Sequence, residues 1–112
     1  MNNHKILSFI GICMKAGKLV SGEFSVEKAV KSGQASVVVV AADASDNSKK
    51  QYTNMCTYYK VPLFFFSSKE ELGQALGKEY RASLAVLDEN MAKALITKLK
   101  DARKGWCEFA QT

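Results

Sequence analysis

Ser36-Val37-Val38-Val39-Val40-Ala41-Ala42 is the stretch on which the fold turns. Four valines in succession favour extended backbone, because branching at Cβ stiffens χ1 and packs well on a pleated surface. Strict alternation of apolar and polar residues would mark a strand with one wet face. A continuous apolar run marks a strand covered on both faces. Such a strand needs a helical layer on each side, so the flanking sequence should read as helix.

Downstream it does. Tyr52, Met55, Cys56 and Tyr59 recur at helical spacing and predict a helix over about 46–60. Val61-Pro62 stops it, since the residue before a proline is pushed out of the α region. Leu63–Phe66 is a short strand. Ser68 with Glu71 three residues on has the capping-box form, in which each side chain bonds the other's backbone N–H. The helix it opens turns Leu72, Ala75 and Leu76 inward and ends at Gly77. Lys78-Glu79-Tyr80-Arg81 is a charged turn, and Ser83–Leu87 a fourth strand. Asp88 caps a last helix over about 89–102, with Met91, Leu95, Ile96 and Leu99 inward.

Upstream, Ile6, Phe9, Ile10 and Cys13 share one helical face over about 5–16, and Gly17 supplies the positive φ of a C-terminal cap. Lys18-Leu19-Val20 reads as an edge strand. Ser21 is expected to cap a helix over about 22–32, with Glu23 in its first turn, Val26, Ala29, Val30 and Gly33 inward, and Glu27 paired with Lys31. Helix and strand alternate throughout. The expected fold class is α/β: a three-layer α/β/α sandwich around a sheet of about four strands, the first at an edge, with right-handed crossovers.

At 112 residues the chain has the length of one domain, expected to span 1–112 with a core over about 5–102 and a tail carrying Trp106 and Phe109. With 47% hydrophobic and 24% charged residues it has the composition of a folded globule, not of a disordered segment. The formal net charge of +5 and pI near 9.2 favour polyanionic partners, nucleic acid before an anionic membrane surface. No apolar run is long enough to span a bilayer, and Ile6–Met14 breaks at Lys15 as a signal peptide would not. Cys13, Cys56 and Cys107 are odd in number and widely spaced, which suits neither a zinc site nor a disulfide framework and fits a reducing cytoplasm.

A catalytic constellation is missing from the sequence. His4 is the sole histidine, in an N-terminus expected to be loose, so no base–nucleophile pair and no histidine metal site can be composed. No glycine-rich nucleotide loop occurs. Asp43 and Asp88 each follow a strand; they either cap the next helix or hold Mg²⁺ between them. Cys56 reads as core packing.

The stretch Lys15–Gly33 is better suited to an anion. A helix N-terminus presents unpaired N–H groups and a partial positive charge, and Lys15, Lys18, Lys28 and Lys31 lie along the stretch. The alternative is an ordinary helix start with a solvated face. Should the turn holding Lys78 and Arg81 come beside the helix opening, the two make one basic edge. Phe24 either staples onto the first helix or, with Tyr80, offers a stacking face there.

Several motifs carry a family resemblance. They are Lys15-Ala16-Gly17-Lys18-Leu19-Val20-Ser21-Gly22-Glu23, Val26 with Lys28-Ala29-Val30, Ser32-Gly33-Gln34-Ala35, and Val39–Ala41 before Asp43-Ala44-Ser45. Lys49-Lys50, Cys56-x-Tyr58-Tyr59-x-Val61-Pro62, Glu71-Leu72-Gly73, Gly77-Lys78-Glu79 and Asp88-Glu89 before Ala92 extend it over about residues 5–100. Together they resemble the kink-turn RNA-binding ribosomal protein superfamily, its bacterial YlxQ-type members above all. The resemblance implies a three-layer sandwich that binds a kink-turn, an RNA bend built on tandem sheared G·A pairs beside a short bulge. By that likeness the opening of the second helix enters the major groove at the G·A pairs, and the loop before the fourth strand closes over the bulge. Gly22 would permit close backbone approach, Lys28 would donate to guanine or phosphate, and Tyr80–Leu84 would form the bulge loop. Phe24 and Ser25 stand where well-studied members carry Asn and Glu.

The expected RNA-facing set is therefore Lys18, Ser21, Gly22, Glu23, Phe24, Ser25, Lys28, Lys31, Tyr80, Arg81, Ala82, Ser83 and Leu84. No catalytic residue, metal or cofactor is expected. The expected partner is structured RNA, and with it the ribosome, for a cytoplasmic monomer away from membranes. The competing expectation is a non-catalytic protein-interaction adaptor anchored by the C-terminal aromatics.

Overall fold

The computed structural model describes residues 3–103. The expectations for Trp106, Cys107 and Phe109 lie outside the described residues. Within them the order is α1 (Asn3–Lys15), β1 (Leu19–Ser21), α2 (Glu23–Lys31), β2 (Val37–Val40), α3 (Asp46–Tyr59), β3 (Leu63–Phe65), α4 (Lys69–Ala75), β4 (Ser83–Val86) and α5 (Glu89–Arg103). His4, expected in a loose N-terminus, belongs to α1 and is exposed.

The four strands stand in the order β1-β4-β2-β3. The last strand of the chain thus lies between the first two. β4 pairs antiparallel with β1 (Ser21 opposite Leu84) and with β2 (Val40 opposite Ser83), while β2 and β3 are parallel. Val37–Val40 are all fully buried, as the unbroken valine run requires. The pleat divides them. Val37 and Val39, with Leu84 and Val86, pack beneath α1, α4 and α5 against Ile6, Ile10, Leu72 and Leu95. Val38 and Val40, with Ala85, pack against Val26, Val30, Tyr52 and Cys56 of α2 and α3. The result is the expected α/β/α sandwich, with β1 at one edge.

Three local expectations are corrected. Ser21 does not cap α2: it closes β1, and the N-cap is Gly22, with no side-chain cap. The Ser21 hydroxyl is engaged elsewhere, as described below. The capping box at α4 is half formed. Ser68 Oγ accepts from Glu71 N–H (3.1 Å), but the Glu71 carboxylate accepts from the Ser67 hydroxyl instead of reaching back to the cap. Tyr59, placed on the inner face of α3, is over a third exposed and packs edge-on against Tyr58 with centroids 4.8 Å apart.

Candidate nucleic-acid interface

Antiparallel insertion of β4 decides which residues meet. β1 and β2 both run toward one end of the sheet, and β4 starts there. That end carries the opening of α2, the turns after β2 and β3, and the segment before β4. Gly22 N–H donates to the Ser83 carbonyl (3.1 Å), and Arg81 Nε donates to Ser21 Oγ (2.9 Å). Two bonds therefore tie the opening of α2 to the segment before β4, and the juxtaposition on which one basic edge depends is realised.

The conformation at Gly22 completes the turn. Its φ of 96° and ψ of 152° lie where side chains other than glycine's rarely go, and a Cβ there would touch nothing within 4 Å. The helix opening is thus bare backbone, with Phe24 and Lys28 one turn apart on its outer surface. Both are exposed; Phe24 is 77% accessible. The staple onto α1 does not form. Ser25 is half-buried and Glu23 exposed.

The segment before β4 is held from the other side too. Arg81 N–H donates to the Lys69 carbonyl (3.1 Å), and the Ala82 carbonyl accepts from Ala41 N–H (2.8 Å). Gly73 of α4 lies so close that a Cβ there would stand 2.6 Å from the Glu79 carbonyl oxygen. Tyr80 projects from this anchored segment, 62% exposed. Arg81 NH1 also donates to the Tyr80 carbonyl (3.1 Å), which fixes the guanidinium.

Other expected members stand apart. Ser83 and Leu84 are fully buried in β4, so their side chains face the core and not a partner. Ser83 Oγ shares a buried 2.8 Å hydrogen bond with Tyr52 Oη, and burial pushes the Tyr52 phenol up. Lys18 lies at the far end of β1, where its carbonyl accepts from Leu87 N–H (2.7 Å). Lys31 closes α2 at the distal end and pairs with Glu27 (2.7 Å), whose carboxylate holds the ammonium above its ordinary range. The lysines of Lys15–Gly33 consequently do not form one patch: a strand and a helix separate Lys15, Lys18 and Lys31 from the opening. Lys28 lies one turn from Phe24 although it shares the last turn of α2 with Lys31, and the segment before β4 carries Arg81 and the exposed Lys78. Lys69 reaches this end of the sheet through its backbone, its carbonyl accepting from Arg81 N–H and its own N–H donating to Asp43 Oδ1.

No metal site joins Asp43 and Asp88. Antiparallel β2 and β4 put them at opposite ends of the sheet. Asp43 Oδ1 accepts from Lys69 N–H (2.9 Å) and Asp88 Oδ2 from Met91 N–H (2.9 Å), so each carboxylate serves a helix N-terminus. Among the described residues no group of three or more potential ligands is poised for a metal. Cys56 is buried, and burial pushes its thiol up to about 11, which leaves it inert as a nucleophile. No helix among the described residues is long and apolar enough to cross a membrane.

The fold agrees with what the comparisons find. Residues 4–96 match the model of the ribosomal protein L7Ae/L30e/S12e/Gadd45 family. The chain belongs to that family, among its YlxQ-type members. It is 38% identical over 99 residues to the RNA-binding protein YlxQ of Bacillus subtilis, covering 88% of this chain and 99% of that one. It is 28% identical over 108 residues to the large ribosomal subunit protein eL8 of Picrophilus torridus, covering 92% and 85%. A solved structure of a Bacillus halodurans protein of unknown function superposes with a TM-score of 0.82 at 32% identity, covering 86% of this chain and 97% of the other.

Proposed function

We propose that this chain is an RNA-binding protein of ribosomal type that grips structured RNA at a kink-turn. The opening of α2 and the segment before β4 meet the RNA together, at the junction of the paired stem and the bulge. The observation that carries this reading is the pair of bonds, Arg81 to Ser21 and Gly22 to Ser83, which hold the two segments as one unit. The net charge of +5 supports it, as do the RNA-binding and ribosomal relatives. The contact residues are Ser21, Gly22, Phe24, Ser25, Lys28, Tyr80, Arg81 and Ala82, with the exposed Glu23 beside them as the group that repels phosphate. Lys18 and Lys31 add only long-range attraction. The protein acts as a monomer in the cytoplasm, on ribosomal or other kink-turn RNA, without chemistry of its own.

A gel shift tests this. A kink-turn RNA should move at sub-micromolar protein, and replacing its G·A pairs should weaken the complex. Lys28→Ala should cost about 1–3 kcal/mol where the ammonium reads a base edge, and should weaken binding to all sequences and lower the salt slope by about one where it holds a phosphate. Equal affinity for plain duplex would reduce the interaction to basic attraction that salt abolishes.

A further inference from the structure

Phe24 is the most puzzling surface residue by ordinary packing rules. Its ring is 77% exposed in the second position of α2, although the inner face of that helix is filled by Val26, Ala29 and Val30. The other exposed aromatics of the helical layers and sheet edge are accounted for locally. Tyr58 and Tyr59 pack on each other, and Phe65 lies beneath the Lys49 ammonium, 5.9 Å from its centroid. Phe24 makes no ring–ring or cation–ring contact with another described residue. Folding gives it nothing to do, so its ring is available to a partner.

Its surroundings select that partner. Glu23, Ser25 and Lys28 flank the ring, so it lacks the apolar rim of a protein-docking anchor. The Lys28 ammonium one turn away offers a phosphate contact at the spacing of adjacent side chains on a helix face. Glu23 on the other flank repels phosphate, which steers a nucleic-acid backbone to the Lys28 side. An aromatic face beside a cation is the arrangement that takes a nucleobase with its phosphate. Inside a duplex both faces of a base are covered by neighbours, so the base must be unpaired. Tyr80, on the segment bonded to Ser21 three residues before Phe24, stands as a second exposed ring nearby.

We propose that Phe24 is a specificity-determining residue that stacks on an unpaired base of the bound RNA, while Lys28 holds the adjoining phosphate. The assignment rests on the RNA-binding reading above and deepens it. Since every base has a π-face, this contact demands an unpaired nucleotide but tolerates its identity.

The test is a coupling measurement on the full chain. Its probes are a kink-turn RNA with each bulge nucleotide in turn made abasic, and a plain duplex with one bulged nucleotide or the abasic equivalent. Phe24→Ala should weaken kink-turn binding about tenfold, and Phe24→Trp, which keeps a ring, should stay within about twofold of the parent. One abasic position should weaken the parent about tenfold and add nothing to Phe24→Ala. Unchanged affinity of Phe24→Ala, or equal abasic losses in both proteins, overturns the stacking role while leaving the kink-turn reading in place. If the parent prefers no kink-turn, the kink-turn reading falls and the bulged duplex decides. Loss of affinity on removing the bulged base in the parent but not in Phe24→Ala sustains the stacking role, and its absence overturns it.

Discussion

Replacing Gly22 by alanine isolates backbone conformation from packing. A Cβ at this position would meet nothing within 4 Å, so no steric clash enters the comparison. The cost comes from φ 96° and ψ 152° alone. Holding a non-glycine residue in so sparsely populated a region costs of order 1–3 kcal/mol. Relief by rotating φ to a negative value would move Gly22 N–H off the Ser83 carbonyl (3.1 Å) and the Gly22 carbonyl off Val26 N–H (3.0 Å). Two hydrogen bonds lost at about 1 kcal/mol each lead to the same figure. Either way Gly22→Ala should lower stability by about 2 kcal/mol, or the melting temperature by roughly 10 °C in a domain of this size. Urea unfolding followed by circular dichroism measures the first, and a kink-turn gel shift measures displacement of the α2 opening. Gly17→Ala is the control, since Gly17 also has positive φ (74°) and open space but lies at the other end of β1. Both variants should lose stability, and only Gly22→Ala should lose more than about tenfold in RNA affinity, the equivalent of 1.4 kcal/mol. An unchanged unfolding midpoint in Gly22→Ala would refute the strain argument. Equal RNA losses in the two variants would refute the placement of the site.

Gly73→Ala should drive the Glu79–Tyr80 backbone away from α4, because its Cβ would stand 2.6–2.8 Å from backbone atoms there; a loss of about 1–3 kcal/mol is expected in urea, with weaker RNA binding. Tyr52→Phe should cost about 1–3 kcal/mol by orphaning the buried Ser83 hydroxyl, with the m-value unchanged. Cys56 makes stability fall at alkaline pH. The folded thiol keeps its proton up to about 11, whereas the unfolded one releases it near 9.0, so its contribution is complete below 9.0 and is lost as pH climbs to about 11. Cys56→Ala should flatten this limb by up to about 3 kcal/mol in chemical denaturation at a series of pH values.

What the sequence disclosed follows the range of the interactions involved. Val37–Val40 reveal a doubly covered strand because that demand is written into four adjacent side chains. Helix faces such as Ile6, Ile10 and Cys13 are equally local. The start of α2 is not legible locally, because Ser21 has the chemistry of a cap and only the position of Arg81, 60 residues on, diverts its hydroxyl. The Asp43–Asp88 pairing failed for a topological reason: alternation of helix and strand does not reveal that β4 enters antiparallel between β1 and β2. Ser83 and Leu84 belong to a buried strand and not to the loop the family likeness implies, because the loop ends where β4 begins pairing at Ser83. Phe24 has no locally legible role, because a phenylalanine in a first helical turn serves as staple or as surface reader equally well, and only the packing of α1 decides.

The position of β4 also dictates when the molecule becomes complete during synthesis. β1 has no partner in the sheet other than β4, and β2 is joined to β1 only through it. A nascent chain that ends before Ser83 can pair β2 with β3, but it leaves β1 with no strand to lie against and Ser21 and Gly22 with neither of their bonds to the β4 side. Its α2 opening has no fixed neighbour, however well the helix itself forms. The two halves of the candidate RNA surface thus come together in one event, once β4 has been made. An unfinished polypeptide emerging among ribosomal RNA would therefore not carry the assembled surface of the finished protein.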